Sequence, residues 1–132
     1  MLEQEGLVAA LELRLAAVEG RSDVHASLEA DESIQLPLRV ETALYHIAQE
    51  ALNNALKHAG ADTVTVRLAR SGIYVLLSII DDGCGFDLDS IVSGGMGLEN
   101  MRTRAAEIGA VLDIRSRMGE GTCVNISVEE RV

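Results

Sequence analysis

His46, Glu50 and Asn54 follow one another at four-residue intervals, with Lys57 and His58 close behind. On a helix those positions stack on one face, placing an imidazole, a carboxylate, a carboxamide and a cation in one line. Two more segments follow in fixed order, Asp81-Asp82-Gly83-Cys84-Gly85-Phe86 and Gly94-Gly95-Met96-Gly97-Leu98. A carboxylate at a strand end can accept a hydrogen bond from a heterocyclic base, and an amide oxygen suits a hard divalent ion. Glycine turns bring backbone N–H groups up to phosphates, above all where a helix begins. Each segment alone is weak evidence; together they describe a site for a nucleoside triphosphate.

The bland reading of the polar stripe is a solvated helix face. Two details weigh against it. Most other positions of that stretch (Ala43, Leu44, Ile47, Ala48, Ala51, Leu52, Ala55, Leu56) are apolar, so both flanks are expected to be buried and a wet pocket must adjoin the stripe. Asn53-Asn54 in mid-helix also costs propensity without a capping role. The glycine segments fit neither common phosphate-binding loop: no strand runs directly into Gly94-Gly95-Met96-Gly97, and the Lys and Ser/Thr of a P-loop are missing after its last glycine.

The elements that must hold these residues are legible in the periodicity. Leu7, Val8, Leu11, Leu15 and Val18 predict an amphipathic helix ending near Gly20. Val24, Ala26 and Leu28 alternate with polar residues, as in a short strand. The single proline, Pro37, and Gly60 bracket a long helix from about Leu38 to Ala59. Val64, Val66 and Leu68 predict a strand with one wet face, Ser71-Gly72 a turn, and Ile73 to Ile80 a strand buried on both faces. Gly97 to Ile108 reads as a helix closed by Gly109, and Val111–Arg117 and Cys123–Val128 as a strand pair joined through Met118-Gly119-Glu120-Gly121. Hairpins in this order imply an α+β fold: a two-layer sandwich with a mixed, mainly antiparallel sheet of about five strands and three helices on one face.

The chain of 132 residues fits one domain, taken as 1–132, with no internal repeat or linker. Hydrophobic residues make up 48% but aromatic residues only 2%, so the core must be aliphatic. A net charge of −10 argues against a nucleic-acid surface. Cys84 and Cys123 show no disulfide or metal spacing and suit a reducing cytoplasm. No stretch is long and apolar enough to span a membrane, and no secretory leader is visible. Cys84 and Cys123 read as turn and strand fillers, Met96, Met101 and Met118 mainly as packing residues, and Glu29-Ala30-Asp31-Glu32 as a solvated loop.

The three segments, with Gly119-Glu120-Gly121-Thr122 as a fourth, resemble the ATP-binding domain of two-component sensor histidine kinases, in the superfamily shared with gyrase, a heat-shock chaperone and mismatch-repair ATPases. Gln49-Glu50-Ala51-Leu52-Asn53-Asn54-Ala55-Leu56-Lys57-His58-Ala59 and Gly97-Leu98-Glu99-Asn100-Met101-Arg102 are most similar to the nitrate-sensor and lipid-fluidity-sensor branch. The resemblance implies ATP and Mg²⁺ as ligands. It assigns Asn54 to the metal, Glu50 to ordering water near the metal or γ-phosphate (the base in related ATPases), and Lys57 and His58 to the phosphates. Asp81 would accept from the adenine amino group, with Thr122 in support. Gly83 and Gly85 would admit the base, while Gly95, Met96, Gly97 and Leu98 would wrap the phosphates.

Kinases of this kind phosphorylate a histidine on a separate dimerisation domain, and a response regulator receives the phosphoryl group in turn. None of His25, His46 and His58 resembles that acceptor, so the resemblance implies a catalytic domain whose acceptor lies elsewhere, as a cytoplasmic protein or the cytosolic part of a membrane-anchored sensor. An anti-sigma-type serine kinase, a stand-alone ATPase and a non-catalytic nucleotide sensor share the fold and remain alternatives.

Overall fold

The computed structural model describes residues 2–21, 23–57, 60–85 and 97–130. The elements run α1 (Leu2–Arg21), β1 (His25–Ala30), α2 (Leu38–Lys57), β2 (Thr63–Ser71), β3 (Tyr74–Asp81), α3 (Leu98–Glu107), β4 (Val111–Arg117) and β5 (Gly121–Glu129). The five strands form one sheet in the order β1-β2-β3-β5-β4. Only β1 and β2 pair in parallel; the other three pairings are antiparallel. That is the mixed α+β sandwich the hairpins imply.

Strand alternation and register build the core together. Val66, Ile79 and Val124 lie abreast across β2, β3 and β5, and Leu68, Leu77 and Ile126 form the next row, all nearly inaccessible to water. Onto these rows α2 lays Leu44, Ile47, Ala48, Leu52 and Ala55, each fully buried. The small alanines let the helix lie close to the sheet, which substitutes for the scarce aromatic residues. On α1, Leu7, Leu11, Leu15 and Val18 are buried as their spacing requires. The helix is nevertheless kinked at Gly6, whose φ of 84° and ψ of 179° are not helical.

Four expectations need correction. Ile73 lies outside β3: the two turn residues are Gly72 and Ile73, flanked by the pair Ser71–Tyr74, because Gly72 takes the positive φ of 62°. β3 is not buried on both faces either. Leu76 and Ile80 point to the side without helices and are only half-buried, since helix burial covers one face alone. Met118 is 71% exposed and packs against nothing in the core. Finally, Glu29 and Ala30 belong to β1, and Asp31 is engaged, not merely solvated. The Arg70 guanidinium donates to Asp31 (3.2 Å) and to both oxygens of Glu130 (2.8 and 2.9 Å), tying the end of β5 to the loop after β1.

Packing, not propensity, should therefore set the stability of this chain. Replacing the fully buried Leu52 by alanine is expected to cost about 2–5 kcal/mol in denaturant unfolding. The same change at Leu13, exposed on α1, should cost less than about 0.5 kcal/mol.

Candidate functional site

Five polar or charged residues are buried among those described: Glu41, Asn54, Ser78, Asp81 and Thr122. Glu41 and Ser78 serve local needs. Glu41 accepts from the Leu36 amide (3.4 Å), and the Ser78 hydroxyl donates to Asn125 (2.7 Å). The other three, Asn54, Asp81 and Thr122, line a single cavity between the sheet, α2 and α3, with Leu98 and Met101 of α3 as apolar wall. Its volume is about 10 Å³, room for no more than one water.

Asp81 is the last residue of β3 and sits opposite Thr122 of β5. Its carboxylate accepts the Gly83 amide at 2.8 Å, folding the turn back on itself. Burial pushes the Asp81 pKa up. Hydrogen bonds from the Gly83 and Thr122 backbones oppose the rise without cancelling it, and the neighbouring Asp82 charge adds to it. Thr122 is itself oriented by Ser116 of β4, their hydroxyls 2.8 Å apart.

Backbone contacts that only glycine permits hold this end of the sheet together. Gly85 has a φ of 65°, and a Cβ there would overlap the Arg117 carbonyl. Gly121 has a φ of 83°, and a Cβ there would strike the Asp81 carbonyl. The Gly119 amide donates to the Cys84 carbonyl, so the turn after β3 and the β4–β5 turn close on each other. The steric demand at Gly85 thus comes from the protein's own backbone.

One turn before Asn54 on α2, the Glu50 carboxylate lies against the Cα of Gly97, where a Cβ would overlap it. Gly97 caps α3 in a left-handed conformation with no side-chain cap, so an acid meets the positive end of a helix dipole. Glu50, Asn54, Asp81, Gly97, Leu98 and Thr122 are in this way gathered at one end of the sandwich, and Gly83 and Gly85 shape its rim. Lys57 is in the last turn of α2 with its side chain outside the described residues, where His58, Gly95 and Met96 also fall.

Spacing did not reveal two contacts. Ser116 becomes visible only once the β4–β5 register is known. Asn53 accepts a hydrogen bond from Arg14 of α1 at 3.4 Å, which explains one of the two mid-helix asparagines as a helix–helix contact. Both cysteines are free. No helix among the described residues is long and apolar enough to cross a membrane.

The family described as histidine kinase-, DNA gyrase B-, and HSP90-like ATPase matches residues 39–132. Sensor protein VraS of Staphylococcus saprophyticus is 41% identical over 95 residues, covering 72% of this chain and 27% of that protein. VraS of Staphylococcus aureus is 40% identical over the same shares. The chain therefore spans about a quarter of the length of these curated relatives. Among solved structures, the Erythrobacter litoralis EL346 blue-light activated histidine kinase superposes with a TM-score of 0.78 at 26% identity, over 93% of this chain and 40% of that one. The ATP binding domain of PrrB from Mycobacterium tuberculosis has the same fold, with a TM-score of 0.72 at 20% identity over 94% and 93% of the two chains.

A buried, ionised Asp81 costs the ligand-free fold stability at neutral pH, because its proton is bound more tightly folded than unfolded. Asp81→Asn should accordingly melt higher than wild type at neutral pH without nucleotide. The gap should shrink as pH falls through the raised pKa and close below the ordinary aspartate range. A variant no more stable than wild type at neutral pH would contradict the assigned cost of burial.

Proposed function

The chain belongs to the histidine kinase-, DNA gyrase B- and HSP90-like ATPase family, and from that membership we propose that it is the ATP-binding catalytic part of a sensor histidine kinase. It binds ATP with Mg²⁺ and passes the γ-phosphoryl group to a histidine on a separate dimerisation domain, from which a response regulator is served. The observation that carries this reading is the convergence of Asn54, Asp81 and Thr122 on one cavity. The sensor kinase context rests on the likeness to VraS and to the light-activated kinase. The chain would work in the cytoplasm, as a cytoplasmic protein or as the cytosolic part of a membrane-anchored sensor.

In this reading the Asp81 carboxylate accepts the adenine amino group, and guanine, which offers a carbonyl oxygen at that position, is rejected because two acceptors would face each other without a proton. Thr122, held by Ser116, supports the base beside it. Leu98 and Met101 cover its apolar faces. Because the cavity measures only about 10 Å³, the base would have to part α3 from the sheet, which couples nucleotide entry to the start of α3, where Gly97 and Leu98 would meet the phosphates along with Gly95 and Met96. By the same resemblance, Lys57 and His58 would contact the phosphates as well.

The donor set fits Mg²⁺. Mg²⁺ at a nucleotide takes few protein oxygens beside phosphates and waters, and the Asn54 side chain on the cavity wall offers one. Asn54 would contribute its side-chain oxygen, and the ion would neutralise phosphate charge. Glu50 would orient water beside it. His25 opens β1 and His46 lies within α2; in this reading neither is the acceptor, which would lie on a separate dimerisation domain.

Three outcomes test this. Asn54→Ala should lose ATP affinity mainly in its Mg²⁺-dependent part; equal losses with and without Mg²⁺ would remove the metal role. Asp81→Asn should weaken ATP binding by roughly tenfold or more, since a charge-assisted hydrogen bond is worth about 1.5–3 kcal/mol. Mixed with the dimerisation domain of the parent kinase, the chain should yield acid-labile phosphohistidine. Acid-stable phosphoserine on another substrate would point to the serine kinase alternative, and ATP binding without transfer to a nucleotide sensor.

A further inference from the structure

Asp82, the residue after Asp81, is exposed, yet its carboxylate is firmly engaged. One carboxylate oxygen accepts both the Asp62 amide and the Thr63 amide, each at 2.9 Å. Its own amide donates back to the Thr63 carbonyl at 3.3 Å. The segment it grips is fastened at both ends. The Ala61 amide donates to the Ala55 carbonyl in the last turns of α2 (3.1 Å), and the His25 amide of β1 donates to the Asp62 carbonyl (2.9 Å). Ala61 is buried, so this short connection cannot slide without disturbing the core. Ala55 is the neighbour of Asn54, and Asp82 is the neighbour of Asp81. A path of two contacts, Ala55–Ala61 and Asp62/Thr63–Asp82, therefore links the residue that would meet the base to the one that would meet the metal, both on the wall of one cavity.

We infer that Asp82 is a positioning residue: its carboxylate fixes the spacing between Asp81 and Asn54, and so favours ligands that span both, a nucleoside triphosphate over a nucleoside. The inference rests on the nucleotide reading of the site. A purely structural role fits the geometry less well. The amides that Asp82 holds lie at an exposed junction, where water can replace a lost acceptor at small cost to stability. What water cannot replace is the direct tie from that anchored segment to the turn after β3; without it the turn can shift, and a ligand held at two points is sensitive to such shifts.

The test compares a non-hydrolysable ATP analogue with Mg²⁺ against adenosine, each titrated into wild type, Asp82→Ala and Asp82→Asn. Alanine removes acceptor and charge; asparagine removes the charge but keeps an oxygen for the two amides, which separates positioning from any effect of the Asp82 charge on Asp81. The expected result is a roughly tenfold loss for the ATP analogue in Asp82→Ala, with adenosine changed by no more than about twofold and affinity largely restored in Asp82→Asn. Equal losses for both ligands, no loss for either, or an asparagine variant as weak as alanine would overturn it. Should Asp82→Ala not fold, Asp82→Ser, too short to reach both amides, takes its place with the same criteria. A folded wild type that binds neither ligand would be a different failure: it would sink the nucleotide reading, and this inference with it.

Discussion

Gly121 lies so close to the Asp81 carbonyl that any Cβ would collide with it, and much of the site depends on that approach. It brings the start of β5 against the end of β3, sets Thr122 beside Asp81 and lets the β4–β5 turn close on the turn after β3 through the Gly119–Cys84 hydrogen bond. The Asp81 carboxylate is thereby held out of water with backbone amides as partners in place of a cation. A charge kept in that condition is a cost to the fold and an advantage to a binding site. It is pre-oriented, poorly hydrated and ready to accept a donor supplied by a ligand.

Volume is a poor guide to function in this molecule. The larger hollows, about 510 and 640 Å³, lie at the opposite end, around Arg39, Glu107 and Ile108. None of the residues lining them is a buried polar one: Arg39 spends its guanidinium on the Glu107 carbonyl at 2.8 Å, at an exposed position. The small cavity at Asp81 gathers the polar groups whose desolvation would otherwise be hard to justify. Leu98 and Met101 are at once the wall of that pocket and part of the hydrophobic core, so a ligand entering there would have to move α3.

Local periodicity made the element order legible and most boundaries to within one or two residues, since an aliphatic chain with one covered sheet face leaves a clean alternation to read. Where both sides of a strand are apolar, as at Leu76 and Ile80, the pattern cannot say whether the second side is covered. The residues gathered at the site were legible as types in sequence because glycine turns and a mid-helix asparagine are locally unfavourable and need a reason. Their partners were not. Ser116 reaches Thr122 only through strand register, Arg14 reaches Asn53 across two helices, and Asp82 grips amides 19 and 20 positions away. Each is a tertiary contact with no periodic signature. The family resemblance supplied roles, such as Asn54 for the metal, that spacing alone does not encode.

The most direct measurement is calorimetric titration of the wild-type chain with a non-hydrolysable ATP analogue, with and without Mg²⁺, beside the matching GTP analogue. Saturable one-to-one binding of the adenine nucleotide, strengthened by Mg²⁺ and not reproduced by the guanine nucleotide, is the result this account predicts. Equal binding of both nucleotides, or none by a demonstrably folded chain, would contradict it.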